Sequence, residues 1–159
     1  MKKISILVII ILTALFACKK ENLVTNASMS ATIDGTSWTA ITRVSNHFVS
    51  TNIFTISGTS VNGEVLAITI RGSEEGTYTS ATSIDSLSAQ VGAIFQPSAS
   101  SPSENNFFSK SGTVTISDID TDNMLISGTF SFELTKLSET KTITTGKFSQ
   151  LKYGESGSN

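Results

Sequence analysis

Met124-Leu125-Ile126-Ser127-Gly128-Thr129-Phe130-Ser131-Phe132-Glu133-Leu134 decides the fold class. Met124, Ile126, Phe130, Phe132 and Leu134 recur at every second position with Gly128 in phase, while Ser127, Thr129, Ser131 and Glu133 fall between them. Period two belongs to an extended strand, whose side chains alternate between faces; a helix would require a period of 3.6. The apolar face must therefore line a core.

Working outward, a final strand is expected over 140–153. Ile143 and Phe148 lie there in opposite phase, and a bulge at Thr145-Gly146 would bring both to one face. On the other side, 112–117 reads as a strand, preceded by a loop over 97–106 rich in serine, asparagine and proline. A strand over 89–95 and a less regular stretch opened by Gly76-Thr77-Tyr78 come before that. The segments 52–61 and 64–71 flank Asn62-Gly63, with Leu66, Ile68 and Ile70 on one face, and form the clearest hairpin. A further strand piece is read at 47–50. Strands over 29–33 and 38–42 flank Asp34-Gly35, where the residues before Trp38 suggest a loop longer than the tightest type.

Ile-Ser-Gly-Thr occurs at 56–59 and again at 126–129. A strand glycine is expected at a bulge or where a large neighbouring side chain needs room. About eight consecutive strands with short connections and no alternating helices give an all-β, antiparallel meander, closed as a barrel or folded as a sandwich.

The N-terminus has a different character. Met1-Lys2-Lys3 supplies positive charge, the run from Ile4 to Leu15 is apolar apart from Ser5 and Thr13, and Ala17 precedes Cys18. That order reads as a lipoprotein signal peptide, too short for a spanning helix of about 20 residues. Cys18 is the single cysteine. Its sulfur would carry a diacylglyceryl group and its freed amine an acyl chain, and two or three chains hold a protein stably at a bilayer. The expected organisation is a leader over 1–17, lipidated Cys18 with a tether to residue 28, one all-β domain over 29–153, and a frayed tail over 154–159.

Removing Lys2 and Lys3 from 11 basic residues leaves 9 against 13 acidic ones, a formal charge of about −4. Such a balance does not suit nucleic acid or anionic lipid. With Cys18 acylated no thiol remains for a disulfide or a cysteine metal site.

Ile33-Asp34-Gly35-Thr36-Ser37-Trp38-Thr39-Ala40, Gly112-Thr113-Val114-Thr115-Ile116, Ile126-Ser127-Gly128-Thr129-Phe130-Ser131-Phe132, and the ending Gly146-Lys147-Phe148 with Tyr153 together resemble a family of lipoproteins of unknown function from Bacteroidota. The resemblance implies an all-β outer-membrane lipoprotein and brings no substrate or catalytic residue. It also implies that an acidic run after the cysteine marks surface export. Lys19-Lys20-Glu21-Asn22 falls one acid short of that pattern, so the periplasmic and surface faces both stay open. Asp85-Ser86-Leu87 looks like the O-glycan attachment motif of such bacteria, with Ser86 as acceptor.

Few side chains suggest chemistry. Asp118, Asp120 and Asp122 would share one side of an extended segment and suit calcium, but Asn123 and Thr129 stand where an EF-hand loop needs glycine and an acid. A turn in which the aspartates bond local backbone N–H groups fits better. His47, the sole histidine, has no nearby acidic partner or nucleophile elbow and is expected at the surface. Glu74-Glu75 offers adjacent carboxylates, which point to opposite faces of a strand rather than across a glycosidase cleft. Trp38, Tyr78, Phe95, Phe107 and Phe108 are expected mainly in the core, with Phe107-Phe108 the most exposed. The expected function is a non-enzymatic domain binding a glycan, peptide or envelope partner. The alternatives are a barrel carrying a small lipophilic ligand and a hydrolase whose carboxylates converge only in the fold.

Overall fold

The computed structural model describes residues 26–80, 90–100 and 102–157. The lipidation and glycosylation candidates Cys18 and Ser86 lie outside them. Among the described residues there are nine strands: β1 (Ser28–Ile33), β2 (Thr36–Phe48), β3 (Ile53–Ser60), β4 (Val65–Arg71), β5 (Gly76–Thr79), β6 (Val91–Gln96), β7 (Phe107–Asp120), β8 (Leu125–Lys136) and β9 (Glu139–Ser156). Leaving aside short β5, consecutive strands pair antiparallel, and β9 returns to β1, which closes an eight-stranded up-and-down barrel. β5 pairs with β7 below the short β6 contact on the same side of that strand. Closure leaves no long unpaired edge.

The two barrel ends differ. β1 spans only six residues, and its first residue, Ser28, lies opposite Ser149. Beyond that point β2 and β9 meet directly in a parallel pairing of Ser45–Phe48 with Tyr153–Ser156. The chain thus enters between β2 and β9, at what we term the entry end, and β1 runs from there toward the far mouth. Because of this pairing the last strand continues to Ser156, past the boundary expected at Tyr153.

The turns also depart from expectation in detail. Ile33 pairs with Thr36, so Asp34 (φ 49°) and Gly35 (φ 78°) form a tight two-residue turn rather than a longer loop. Asn62-Gly63 does the reverse. The N–H of Gly63 donates to the Ser60 carbonyl, the N–H of Ser60 to that of Glu64, and Gly63 alone takes positive φ. This is a three-residue loop with a glycine bulge. The segment read separately at 47–50 divides between the end of β2 and a 3-10 turn, Val49–Thr51.

β9 carries two bulges. Ile143 pairs with Phe132 and Gly146 with Phe130, while Phe148 pairs with Gly128 and Leu151 with Ile126, so β9 uses one extra residue in each interval. Thr145 (φ 50°) and Gln150 (φ 48°) occupy the irregular positions. The bulge at Thr145 is the one expected from strand phase. Together the two bring Ile143, Phe148, Leu151 and Tyr153 to the interior, each at most 3% exposed.

The interior is closed by aromatic rings over glycines. Gly128 faces Phe148, Gly146 faces Phe130 and Gly112 faces Phe132 in direct cross-strand register. A Cβ on Gly146 would lie 2.3 Å from the Phe130 ring, and one on Gly112 only 2.0 Å from the Phe132 ring. The rings of Phe130 and Phe148 stack with centroids 6.3 Å apart. Glycine thus lets strands curve around bulky residues, as the repeated Ile-Ser-Gly-Thr phrase suggested. At its other occurrence, a Cβ on Gly58 would meet Ala40, Met29 and Trp38. With Met29, Phe54, Ile56, Leu66, Ile68, Ile70, Val114, Ile116 and Leu134 fully buried, side chains occupy the barrel axis.

Candidate functional site

The far mouth gathers segments that are remote in sequence. The tight turn at Asp34 is tied to β9 three times: Asp34 N–H donates to the Thr142 carbonyl at 2.9 Å, the Thr142 N–H donates to Asp34 Oδ1 at 2.8 Å, and Lys141 Nζ donates to Asp34 Oδ2 at 2.8 Å. The Lys141 hydrogen bond, then that of Thr142, holds the Asp34 carboxyl below the usual aspartate value. Lys141 also stands over the rings of Phe95 and Phe107, 5.7 and 5.2 Å from their centroids, and Lys136 stands 5.1 Å from that of Phe107. Two ammonium groups therefore cap an aromatic plug.

On the other side, the β3–β4 turn is held by the buried Ser60. Its hydroxyl donates to Glu64 Oε2 at 2.9 Å and accepts from the N–H groups of Asn62 and Glu64. Between the two turns lies a surface cleft of about 270 Å³ lined by Ile33, Ser37, Trp38, Phe95 and Pro97 among its walls and by Asn62, Glu64, Asp34 and Lys141 at its polar rim. Trp38 is 3% exposed, and its indole N–H is buried without a hydrogen-bond partner. A buried donor left unpaired costs about 1–3 kcal/mol.

The residues singled out from sequence are distributed differently. Asp120 accepts from both the N–H and the side-chain amide of Asn123, at 2.9 and 2.7 Å, and these bonds lower its pKa. A bulge between Ile116 and Asp118 interrupts β7. Asp118, Asp120 and Asp122 therefore belong to a strand end and its turn, and no group of three or more metal-ligating side chains assembles among the described residues. Glu75 accepts from the N–H of Ile119, and the Glu74 backbone exchanges hydrogen bonds with the Tyr78 hydroxyl, so this pair fixes local chain.

His47 is half-buried rather than solvent-facing. Its ring is stacked 4.3 Å from that of Phe54, its Nδ1 is 3.6 Å from Glu155, and its Nε2 is buried. The end of β2 turns it inward because Ser45 and His47 share the phase that faces Tyr153. The Tyr153 hydroxyl is pushed above the ordinary tyrosine value, by burial first and then by the Glu155 and Asp120 charges. Of the aromatics, Trp38, Phe95 and Phe107 are core and Tyr78 is half-buried over Gly72; Phe108 is 51% exposed, so the expected Phe107-Phe108 exposure holds for its second member only.

Sequence reading gave Asp34 and Asn62 as turn residues but did not bring them to one site with Glu64 and Lys141. Their roles as turn residues were visible, whereas their convergence depends on barrel closure.

The fold and the cleft define a small closed β-barrel with a mixed apolar and polar opening at one mouth. Residues 25–152 match the family model described as Domain of unknown function (DUF6252), and the chain belongs to that family. Comparison with curated proteins and with solved structures gave no match.

Proposed function

We propose that this chain is an outer-membrane lipoprotein, acylated at Cys18, whose barrel is a non-enzymatic binding domain with its recognition surface at the far mouth. One observation carries the reading: the chain enters the barrel at Ser28, while the cleft between the Asp34 and Asn62 turns opens at the opposite end. The span from Cys18 to Ser28 is about ten residues, a reach of at most roughly 30–35 Å. An anchor there would hold the entry end toward the bilayer and the cleft away from it.

The cleft contains two carboxylates, but their bonding argues against hydrolysis. Both Asp34 oxygens accept hydrogen bonds and its pKa is lowered, whereas a general acid needs a raised value. Glu64 is engaged by Ser60. Packing along the axis argues against an internal lipophilic cargo.

Fatty-acid labelling and membrane fractionation test the anchor. The native chain should take up label and pellet with outer membranes, and Cys18→Ala should lose both. Label retained by Cys18→Ala would overturn lipidation at this residue.

A further inference from the structure

We infer that the far-mouth cleft is a subsite for one neutral, hydroxyl-bearing pyranose ring, the end group of a glycan. This rests on the binding-domain reading above and gives it a ligand class. Four features of the cleft select that chemistry.

Its volume, about 270 Å³, lies just below the roughly 300–1,000 Å³ of drug-sized pockets and suits a single ring. Its walls are amphipathic: Pro97 and the small exposed edges of Ile33, Trp38 and Phe95 offer a narrow apolar contact, while Thr36, Ser37, Asn62 and Glu64 offer hydrogen-bonding groups. A pyranose has matching character, with apolar C–H faces and a hydroxyl rim. The hydrogen-bonding groups at the cleft surface are the Ser37, Asn62 and Glu64 side chains, which a purely apolar ligand would desolvate without return, whereas the hydroxyls of a sugar would pair with them. Charge makes the final selection. Lys141 is paired with Asp34, leaving Glu64 as the net charge of the lining, which disfavours an anionic sugar.

Trp38 is almost wholly buried, so it is a packed wall beside the cleft and a reporter of its occupancy rather than an exposed stacking platform. Asn62, exposed at the β3–β4 turn, is the adaptable partner on the opposite rim. The ties at Asp34 and Ser60 fix both turns before a ligand arrives, which limits the ordering cost of binding.

Because Trp38 is the only tryptophan, its indole N–H gives one unambiguous resonance in a nitrogen–proton correlation spectrum. Methyl glucoside, methyl galactoside and N-acetylglucosamine should be titrated in turn to about 100 mM, far enough to saturate a millimolar site. At least one should shift the indole resonance saturably together with signals from Ser37 and Asn62, and glucuronate should bind more weakly than the best neutral sugar.

Asn62→Ala should retain the folded spectrum and weaken binding roughly three- to tenfold, the effect of one lost hydrogen bond. Trp38→Phe replaces the indole with a smaller phenyl ring and loosens the cleft wall, which should also weaken binding, read there from the Ser37 and Asn62 signals; the Asn62 variant remains informative if Trp38→Phe does not fold. No indole shift with any neutral sugar, glucuronate binding as tightly as the best neutral sugar, or unchanged affinity in Asn62→Ala would overturn the proposal. If a lysine-rich peptide shifts the resonance and no sugar does, the sugar assignment fails while the binding-domain reading stands. If a methyl glycoside binds and is cleaved to free sugar, the ring assignment stands and the non-enzymatic reading fails.

Discussion

Gly128→Ala places one methyl group where two strands and a ring already meet. The new Cβ would lie 2.3 Å from the Thr115 carbonyl oxygen on β7 and 2.5 Å from the Phe148 ring tip on β9. Neither obstacle can swing aside freely, because the carbonyl belongs to a paired strand and Phe148 is fully buried and stacked on Phe130. Overpacking a tight core costs about 1–3 kcal/mol, and a backbone obstacle puts this site near the upper end. Alanine recovers about 0.4–1 kcal/mol by restricting the unfolded chain. The net loss is about 2 kcal/mol, a roughly 30-fold shift toward the unfolded state. For a domain of this size that corresponds to a fall in Tm of roughly 6–12 °C. Gly92→Ala is the control: it is also a strand glycine, but the nearest atom to its Cβ is Ser109 Oγ at 3.7 Å. That variant should be neutral or stabilised by up to about 1 kcal/mol. Urea and thermal unfolding of both variants give the comparison. Equal stability of the two would refute the ring-over-glycine account of the barrel interior.

Leu137 is 98% exposed with φ 52°, so Leu137→Asn should relieve left-handed strain and stabilise the domain by about 0.5–1 kcal/mol in urea unfolding. Asp34 has a lowered folded pKa, so its contribution is present above the unfolded value of about 3.9 and is lost as pH falls through the folded value. Asp34→Asn should flatten that acid limb of stability, by no more than about 1 kcal/mol because the pair is partly solvated. Tyr153 has a raised folded pKa, so its contribution is intact below about pH 10 and is lost as pH rises through the folded value. Near-ultraviolet titration should show Tyr153 ionising above the ordinary tyrosine value, with Tyr153→Phe removing that transition.

The strands were legible because their side chains alternate: Leu66, Ile68 and Ile70, or Phe130, Phe132 and Leu134, state the buried face without knowledge of a partner. The phase change between Ile143 and Phe148 likewise announced the bulge at Thr145. Closure was not legible, since β1–β9 joins residues more than a hundred positions apart and nothing local distinguishes that pairing from a sandwich edge. The far mouth depends on this pairing. Asp34 and Lys141 each look like ordinary turn or surface residues until β1, β2 and β9 bring them together. His47 was misread for a related reason: the bulge between Ala40 and Thr42 shifts the phase of β2 so that Ser45 and His47 turn toward Phe54 and Tyr153, and the parallel β2–β9 contact covers that end.

On the proposed reading, acylated Cys18 holds the entry end of the barrel toward the bilayer and the cleft faces away from it. Paramagnetic broadening measures this directly on acylated protein held at nanodiscs containing gadolinium-headgroup lipids. Amide signals at 48–51 and 121–124 should broaden most, and those at 34–35, 61–63 and 137–138 least. The reverse gradient, or equal broadening at both ends, would contradict the account.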